Sequence, residues 1–418
     1  MNLQDNIVKM AKDAKAASFK MAIISARQKN EALRAMARAL RQKHFFLFKE
    51  NKRDLQSAVK ARYSKALISR LTLNDKVIDE MAECLEATAK LPDPIGEVLK
   101  TFRRPNGLII KKVRVPIGVV GIIYEARPNV TSDCIGLCLK SGNVAILKGG
   151  REAFYSNQAI FHILKNVLKK TRIPQEALNL ISTVDRKAVD VLLGLDQYVD
   201  LIVPRGGESL IRLVASKSKI PVIKHYKGIC HTYVSDKADL DMAQKICYNA
   251  KVQKPGVCNA MEAMLVHKNV AKKFLPAMIS RFQSAGVEIR GCPQTRKIVK
   301  DIKAAKPQDW DTEYLDLILS VKVVKDTPEA IEHINTHSSH HSDTIVTRNK
   351  NEAEGFLKSV DSACLYVNAS TRFTDGYQFG FGAEIGISTD KLHARGPMAL
   401  EELTSYKYLV YGQGQIRQ

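Results

Sequence analysis

The stretch Ile117-Gly-Val-Val-Gly-Ile-Ile-Tyr124, together with the alternating segments on its C-terminal side, decides the fold of this chain. A run this apolar predicts a strand that is buried on both faces. A helical pattern comes next, from about Thr131 to Lys140, Gly142 ends it, and Val144-Ala-Ile-Leu147 is typical of the next strand. The alternation continues with helices near 152–170 and 186–193 and strands near 178–181 and 199–203. Strands that alternate with helices predict a parallel, doubly wound α/β sheet.

A second alternating set begins after residue 229. Its predicted strands are Cys230–Val234, Ala263–Val266, Ile318–Val324, Thr344–Val346 and Leu365–Val367, with helices between most of them. The sequence therefore predicts two doubly wound α/β domains. Residues 1–91 carry apolar residues at helical spacing, which predicts helices, and Asn30 and Asn74 are the residues predicted to cap two of them.

A hairpin is predicted around Asn106-Gly107, between the β-rich runs 100–104 and 108–115. Asn-Gly favours this turn because both of its central residues must accept a positive φ. The many charges of the two runs suit an arm that projects from a domain rather than a central strand. Another strand is predicted at Tyr406-Lys-Tyr-Leu-Val-Tyr411.

The composition is that of a soluble globular protein, with 45% hydrophobic residues. The net charge of +22 suits anionic partners such as nucleotides, phosphorylated metabolites or nucleic acid. The basic residues are spread along the whole chain without a nucleic-acid-binding motif, which favours a lysine-rich surface over nucleic-acid binding. We find neither an apolar stretch long enough to span a membrane nor a signal-peptide pattern. We therefore expect a cytoplasmic protein without membrane or nucleic-acid partners.

Cys258 is the candidate nucleophile. It comes after Pro255-Gly256, between a helical pattern and an apolar strand, so a rigid turn would hold it. At such a turn a thiolate can attack an acyl carbon while backbone N–H groups stabilise the oxyanion. From this segment alone a packing role is equally open, because free cysteine is usually a small apolar residue. The remaining cysteines lie in apolar patterns typical of packing, except Cys292, which stays undecided.

Two loops that come after predicted strands could bind a nucleotide. Gly206 and Gly207 come after one strand and open a helix, where backbone N–H groups favour phosphate. Lys148 and Arg151 flank a second pair of glycines and could bind a ribose hydroxyl or a 2′-phosphate. Two-glycine turns are also common connectors, so without further context a structural role is favoured for each loop.

Asn129 and a group of histidines are further candidates. Asn129 begins the helix after the first sheet strand, where it can cap the helix or donate its amide N–H to an oxyanion. His333 and His337 lie one helical turn apart, but their segment lacks the glutamate of the zinc-protease motif. We interpret this segment as a polar helix end and predict no metal site.

Several long motifs together resemble the gamma-glutamyl phosphate reductases, a branch of the aldehyde dehydrogenase superfamily. The resemblance runs from the N-terminal helices to the last strand. The segments that carry it are 115–131, 140–143, 147–153, 203–207, 257–260, 340–343, 379–386 and 393–397.

The resemblance implies a role for each candidate residue. Cys258 would be the nucleophile and Asn129 the oxyanion donor. The cofactor would be NADPH, bound by Lys148, by Gly206 and Gly207 at the pyrophosphate, and by Glu313 at the nicotinamide ribose. The loop itself suggests Arg151 for the 2′-phosphate.

One departure from the wider superfamily bears on the reaction. Hydrolytic aldehyde dehydrogenases carry a general-base glutamate in a Glu-Leu-Gly-Gly-Lys motif, whereas the corresponding region here, Lys224–Ile229, contains no acid. An enzyme that exchanges its thioester with phosphate need not activate water. The resemblance therefore implies NADPH-dependent reduction of L-glutamyl 5-phosphate to L-glutamate 5-semialdehyde, in proline biosynthesis. A hydrolytic NAD(P)-dependent aldehyde dehydrogenase is the alternative.

The resemblance also implies a domain organisation. Residues 1–99 and 116–224 would bind NADP, and 225–395 would form the catalytic domain. Residues 100–115 and 396–418 would join subunits of a homo-oligomer. Glutamate 5-kinase, as the source of the acyl phosphate, is a candidate partner.

Overall fold

The computed structural model describes residues Asn2–Arg417, without the side chain of Ala66. Its contacts divide the chain into two compact units. The first comprises the residues up to Lys224 with 380–386 and the residues from Pro397 onward, and the second comprises 225–379 and 387–396. No helix of the described residues has both the length and the apolar composition that crossing a bilayer needs. The functions predicted for the domains stay predictions.

The first unit begins with helices α1 Leu3–Met21, α2 Ala26–Gln42, α3 His44–Lys60, α4 Lys65–Leu71 and α5 Asp75–Lys90. Asn74 caps α5 as predicted, since its side chain accepts from the N–H of Val77. The prediction for Asn30 was wrong. Ser25 caps α2, because it and Gln28 form a reciprocal capping box that satisfies two N-terminal donors. Asn30 lies inside α2, where its side chain accepts from Lys140 at 2.6 Å.

The sheet of the first unit is parallel, with strand order β5-β4-β3-β6. In the register, Tyr124 pairs with both Gly149 and Arg205, so three strands end level at one edge of the sheet. The loops after these strands therefore start side by side. The elements in this part of the chain are β1 Val98–Arg103, β2 Ile109–Pro116, β3 Val119–Tyr124, α6 Val130–Lys140, β4 Val144–Gly149, α7 Phe154–Leu168, β5 Leu178–Leu180, α8 Lys187–Leu193, β6 Leu201–Arg205 and α9 Glu208–Lys217.

The second unit contains a parallel sheet with strand order β10-β9-β11-β8-β7-β12-β13. All the strands predicted for this region are present, and the short β9 and β10 were missed. The elements are β7 Cys230–Val234, α10 Leu240–Val252, β8 Met261–His267, α11 Lys268–Ser284, β9 Glu288–Gly291, α12 Pro293–Ile298, β10 Lys303–Ala304, β11 Ile318–Val324, α13 Thr327–His337, β12 Ser342–Val346, α14 Lys350–Ser359 and β13 Cys364–Val367.

Three more strands complete the described part of the chain: β14 Gly386–Ser388, β15 Gly396–Met398 and β16 Thr404–Tyr411. β14 and β15 pair with each other. β1 and β2 form the predicted antiparallel hairpin, and β16 pairs antiparallel with β2 along its whole length. This three-stranded sheet, β1-β2-β16, belongs to the first unit.

Candidate active site

The residues around Cys258 come from the starts of four strands in the second unit. His225, Cys258, Glu313 and His341 precede β7, β8, β11 and β12 in the chain. These strands are consecutive in the sheet, in the order β11-β8-β7-β12, and they are parallel. Parallel strands place all their amino ends at the same edge, so residues far apart in sequence meet there.

The turn that carries Cys258 is held on both sides. The side chain of Asn259 donates to the carbonyl of Thr374 at 2.7 Å, and the hydroxyl of Thr371 donates to the carbonyl of Asn259 at 2.8 Å. On the other side, the thiol of Cys230 donates to the carbonyl of Cys258 at 3.2 Å. These bonds fix the backbone of the turn, which a nucleophile needs in order to meet its substrate in one geometry.

Two histidine rings flank the thiol of Cys258. The ligating atoms of His225, Cys258 and His341 all lie within 4.8 Å of one another. The Nδ1 of His225 hydrogen-bonds with the carbonyl of Ile387 at 2.8 Å, and that of His341 with the hydroxyl of Ser342 at 2.9 Å. Both rings are thereby oriented, and both stabilise the thiolate form of Cys258.

This environment makes Cys258 acidic. Burial acts to raise the pKa of its thiol, but the electrostatic interaction with His341 and the hydrogen-bonding interactions with both rings outweigh that effect. The net result is a pKa well below the ordinary value of cysteine. Because the thiolate is the nucleophilic form, Cys258 has the chemistry that acyl transfer requires.

Glu313 is an acidic residue near Cys258. Burial raises the pKa of its carboxyl, while a hydrogen bond from the backbone N–H of Gly228 lowers it and the nearby Cys258 raises it. The pKa of Glu313 ends above its ordinary value. The structure thus brings Glu313 and Cys258 together, although the sequence predicted only a ribose-binding role for Glu313.

A buried ion pair supports the loop that carries Glu313. Lys251 and Glu262 are both buried, and the Nζ of Lys251 lies 2.6 Å from the Oε2 of Glu262. The Oε1 of Glu262 accepts from the backbone N–H of Leu315 at 3.2 Å. Leu315 has a φ of 53°, so this bond stabilises a conformation that a leucine rarely adopts.

The candidate nucleotide-binding residues lie at the level edge of the sheet in the first unit. Gly207 precedes α9, and its N–H donates to the carboxylate of Glu125 at 3.0 Å. Gly206 lies so close to that carboxylate that a Cβ atom on it would be 2.3 Å from one of the carboxylate oxygens. The start of α9 therefore already holds a negatively charged oxygen, as a phosphate-binding helix start does.

The second candidate loop begins at the end of β4. Lys148 is buried, and its Nζ donates to the carbonyl of Gly149 at 2.9 Å. Burial lowers the pKa of Lys148, against the effect of the nearby acids Glu152 and Asp185. Arg151 is exposed at the start of a short 3₁₀ helix. Glu152 accepts from the N–H of Ala126 at 2.6 Å, which orders the loop after β3.

Asn129 lies at the N-cap position of α6 but makes no side-chain cap. Its amide donates to the carboxylate of Asp133 at 3.0 Å. Burial raises the pKa of Asp133 to about 6. The oxyanion-donor role of Asn129 stays a prediction.

Comparisons with known proteins agree with these motifs. Residues 3–296 match the family model described as the aldehyde dehydrogenase family. The gamma-glutamyl phosphate reductase of Thermodesulfovibrio yellowstonii is 54% identical over 418 residues, which is 100% of both chains. The crystal structure of gamma-glutamyl phosphate reductase from Thermotoga maritima has a TM-score of 0.96 at 46% identity and covers 99% of this chain and 100% of that one. The chain belongs to the gamma-glutamyl phosphate reductases of the aldehyde dehydrogenase family.

This membership confirms the predicted family, fold class and enzyme class. The reductase is an oxidoreductase of proline biosynthesis. Its family uses nicotinamide cofactors. The fold is shared more widely, since the NADP complex of the glyceraldehyde-3-phosphate dehydrogenase GapN from Methanocaldococcus jannaschii has a TM-score of 0.70 at 17% identity and covers 98% of this chain and 95% of that one.

Neither of the two histidines beside Cys258 is among the site residues predicted from the sequence of this reductase. His225 lies in the segment 224–229, for which the sequence predicts only the lack of an acid. The sequence places His341 in the group of histidines at the helix end of His333 and His337, yet His341 lies beyond α13, directly before β12. Each precedes a predicted strand, as Cys258 does, and that position was the available signal.

Several other cysteines and histidines of the reductase, among them Cys292, Cys138 and His333, are buried. Cys292, which the sequence left undecided, is buried and caps α12 by accepting from the N–H of Thr295 at 3.5 Å. Burial raises the pKa of Cys138 to about 12, so its thiol stays protonated. Burial, with the charges of its neighbours, lowers the pKa of His333 to about 2.

Proposed function

We propose that this reductase converts L-glutamyl 5-phosphate to L-glutamate 5-semialdehyde and phosphate through a thioester on Cys258, with NADPH as reductant. The observation that carries the proposal is the position of Cys258, on a braced turn between two imidazole rings. Among the described cysteines it combines partial exposure with a lowered pKa, which are the properties of a reactive thiol.

The reaction begins when the Cys258 thiolate attacks the acyl carbon of the substrate. The C–S bond forms, the bond from that carbon to the phosphate oxygen breaks, and phosphate leaves with the electron pair. When bound, NADPH supplies the hydride that reduces the thioester. The thiohemiacetal then collapses, the C–S bond breaks, and Cys258 returns to the thiolate form as the aldehyde departs.

Residues of the first unit fit an anionic nucleotide. The start of α9 presents the N–H of Gly207, which a carboxylate oxygen already occupies, so a pyrophosphate oxygen suits the same donor. Lys148 and Arg151 add positive charge at the end of β4, where a ribose hydroxyl or 2′-phosphate would be bound. We assign the NADPH preference to these two side chains.

Arg372 is the residue we assign to the substrate's negative charge. It is partly buried, and its guanidinium is close enough to the Cys258 thiolate for their charges to interact. Its Nε donates to the side chain of Gln253 at 2.9 Å, which fixes the direction of the group. A guanidinium held this way suits a phosphate or carboxylate oxygen near the nucleophile.

The alternative function, hydrolytic oxidation of an aldehyde, has one observation in its favour. Glu313 is an acid with a raised pKa beside Cys258, so it could activate water although the 224–229 segment has no acid. However, the carboxylate of Glu313 already accepts a hydrogen bond from the backbone N–H of Gly228. We therefore favour transfer of the acyl group to phosphate.

The experiment runs the reaction in the oxidative direction. Glutamate semialdehyde and NADP are supplied with and without inorganic phosphate, and NADPH formation is measured by absorbance. We expect turnover to require phosphate, to saturate with it, and to continue when arsenate replaces it, because arsenate is a similar anion whose acyl ester hydrolyses. Equal rates without phosphate would show a hydrolytic enzyme. A Glu313→Gln variant that loses this phosphate-free rate would then identify the base.

A further inference from the structure

The cluster of His225, Cys258 and His341 has a second capacity besides catalysis. Its donors are one thiol sulfur and two imidazole nitrogens, all within 4.8 Å of one another. Zinc binds such sulfur and nitrogen ligands at about 2.0–2.3 Å. Small rotations of the three side chains would therefore bring them around a single ion.

The ring of His225 is oriented as a metal ligand usually is. A backbone carbonyl can only accept, so the Nδ1 of His225 donates to Ile387, and Nε2 is the ring nitrogen that would bind an ion. Metal-binding histidines commonly donate their other nitrogen to a carbonyl in this way, which fixes the tautomer and the ring direction. His225 can therefore bind an ion and keep its bond to Ile387.

His341 provides an independent observation. The residue is fully buried, and its Nε2 has no partner in hydrogen-bonding geometry among the described residues. A buried ring nitrogen without a partner has a free-energy cost that a ligand would remove. Its Nδ1 is held by Ser342, whose hydroxyl in turn hydrogen-bonds with Thr374 at 2.6 Å, so the ring is braced.

The chemistry of the donors selects the ion. Thiolate and imidazole favour Zn²⁺ and related soft ions over Mg²⁺ and Ca²⁺, which prefer oxygen. The neighbouring thiol of Cys230 is committed to the carbonyl of Cys258 at 3.2 Å. Three protein ligands with an open fourth position are typical of accessible zinc sites.

We propose that His225, Cys258 and His341 form a binding site for one Zn²⁺ ion, and that this ion reversibly blocks the nucleophile. Zinc would occupy the sulfur lone pairs that attack the acyl carbon, so the bound form would be inactive. This regulatory site lies beyond the proposed reaction, because ion binding needs neither substrate nor cofactor. Metal availability would then control how much of the enzyme can react.

Binding is tested on the full chain, stripped with a chelator and titrated with Co²⁺ as a coloured substitute for Zn²⁺. We expect one equivalent to produce a thiolate-to-cobalt charge-transfer band with visible bands of tetrahedral intensity, and Zn²⁺ to remove both. Cys258→Ser should abolish the charge-transfer band. His225→Ala and His341→Ala should each weaken binding at least about tenfold, since each removes a ligand. His225→Gln provides a second variant in case the alanine fails to fold.

His337→Ala is the matched control, because His337 belongs to the same unit but pairs with Asp311 at 2.8 Å. It should bind cobalt and zinc as the parent chain does. Zinc inhibition should be weaker in those histidine variants that keep activity and unchanged in His337→Ala, measured with whichever reaction direction is active. The proposal is overturned if cobalt gives no thiolate band, or if zinc binds the histidine variants as tightly as the parent. Neither result would depend on whether phosphate is the acyl acceptor.

Discussion

Gly228 and Cys258 are in such close contact that no side chain fits between them. A Cβ atom on Gly228 would lie 2.0 Å from the carbonyl oxygen of Cys258 and 2.4 Å from its Cα. Both neighbours are backbone atoms, so neither can rotate away. The N–H of the same glycine also donates to Glu313, and Gly228 therefore links two residues of the site.

Gly228→Ala should therefore displace Cys258 while the fold persists. We expect the turnover number to fall by about 10²-fold or more, since a shift near 1 Å is enough for that loss. Gly355→Ala is the control, because Gly355 lies within α14 and a Cβ there meets nothing within 4 Å. The control should keep its activity and gain a little stability. Full activity in the Gly228 variant would disprove the close contact.

The acidity of Cys258 predicts its alkylation profile. Because its pKa is lowered, the thiolate persists as the pH falls, and iodoacetamide should still modify Cys258 at a pH where a simple thiol such as N-acetylcysteine no longer reacts. Replacing His341 with alanine should move the midpoint upward, because the ring's interactions that lower the pKa of Cys258 are lost. Mass spectrometry of the modified peptide, in chelator-treated buffer, measures the rate. Identical midpoints in the two proteins would contradict this explanation.

The Lys251–Glu262 pair predicts that removing one of the two charges destabilises the protein more than removing both. Glu262→Gln leaves a buried charge without its partner and should lower the free energy of unfolding by about 3–5 kcal/mol. The double variant Lys251→Met, Glu262→Leu removes both charges and should lose much less. Urea unfolding of the three proteins gives the comparison. Equal losses for the single and double variants would show that the unpaired charge of Lys251 is not the cause of the loss.

The loop at the end of β4 predicts cofactor selectivity. Lys148→Ala should raise the KM for NADPH more than that for NADH, because only NADPH carries the 2′-phosphate. Lys165→Ala is a matched control, since Lys165 also donates to a backbone carbonyl, that of Leu178, at 3.0 Å. It should leave both KM values unchanged. A parallel rise in both for Lys148→Ala would remove this lysine from 2′-phosphate recognition.

The sheet β1-β2-β16 predicts how subunits associate. β16 is an edge strand with Tyr406, Tyr408, Val410 and Tyr411 exposed, and such an edge favours pairing with another chain. Val410→Lys should therefore reduce the mass seen by light scattering toward the 46.6 kDa of one chain. Ile23→Lys is the control, because Ile23 is also apolar and exposed, on the helical part of the first unit. A parent chain that is already a monomer at micromolar concentration would refute the predicted homo-oligomer.

Local sequence was enough for the long strands and the hairpin of this fold, although it missed short strands such as β9 and β10. The apolar run before Tyr124 and the alternation after it predicted the first parallel sheet, because a strand buried on both faces has to be apolar throughout. The Asn106-Gly107 turn predicted the β1–β2 hairpin for a similarly local reason. Errors occurred where two local signals competed, as at α2, where the capping box of Ser25 prevailed over Asn30.

The sequence by itself also determined the family, the nucleophile candidate and the loops suited to a nucleotide, since each depends on residues that are close together in the chain. Only the tertiary structure decided what surrounds Cys258. His225, Glu313 and His341 meet it because β7, β8, β11 and β12 are neighbours in one sheet. That order is set by which apolar faces pack together across the whole unit, and no short segment of the sequence records it.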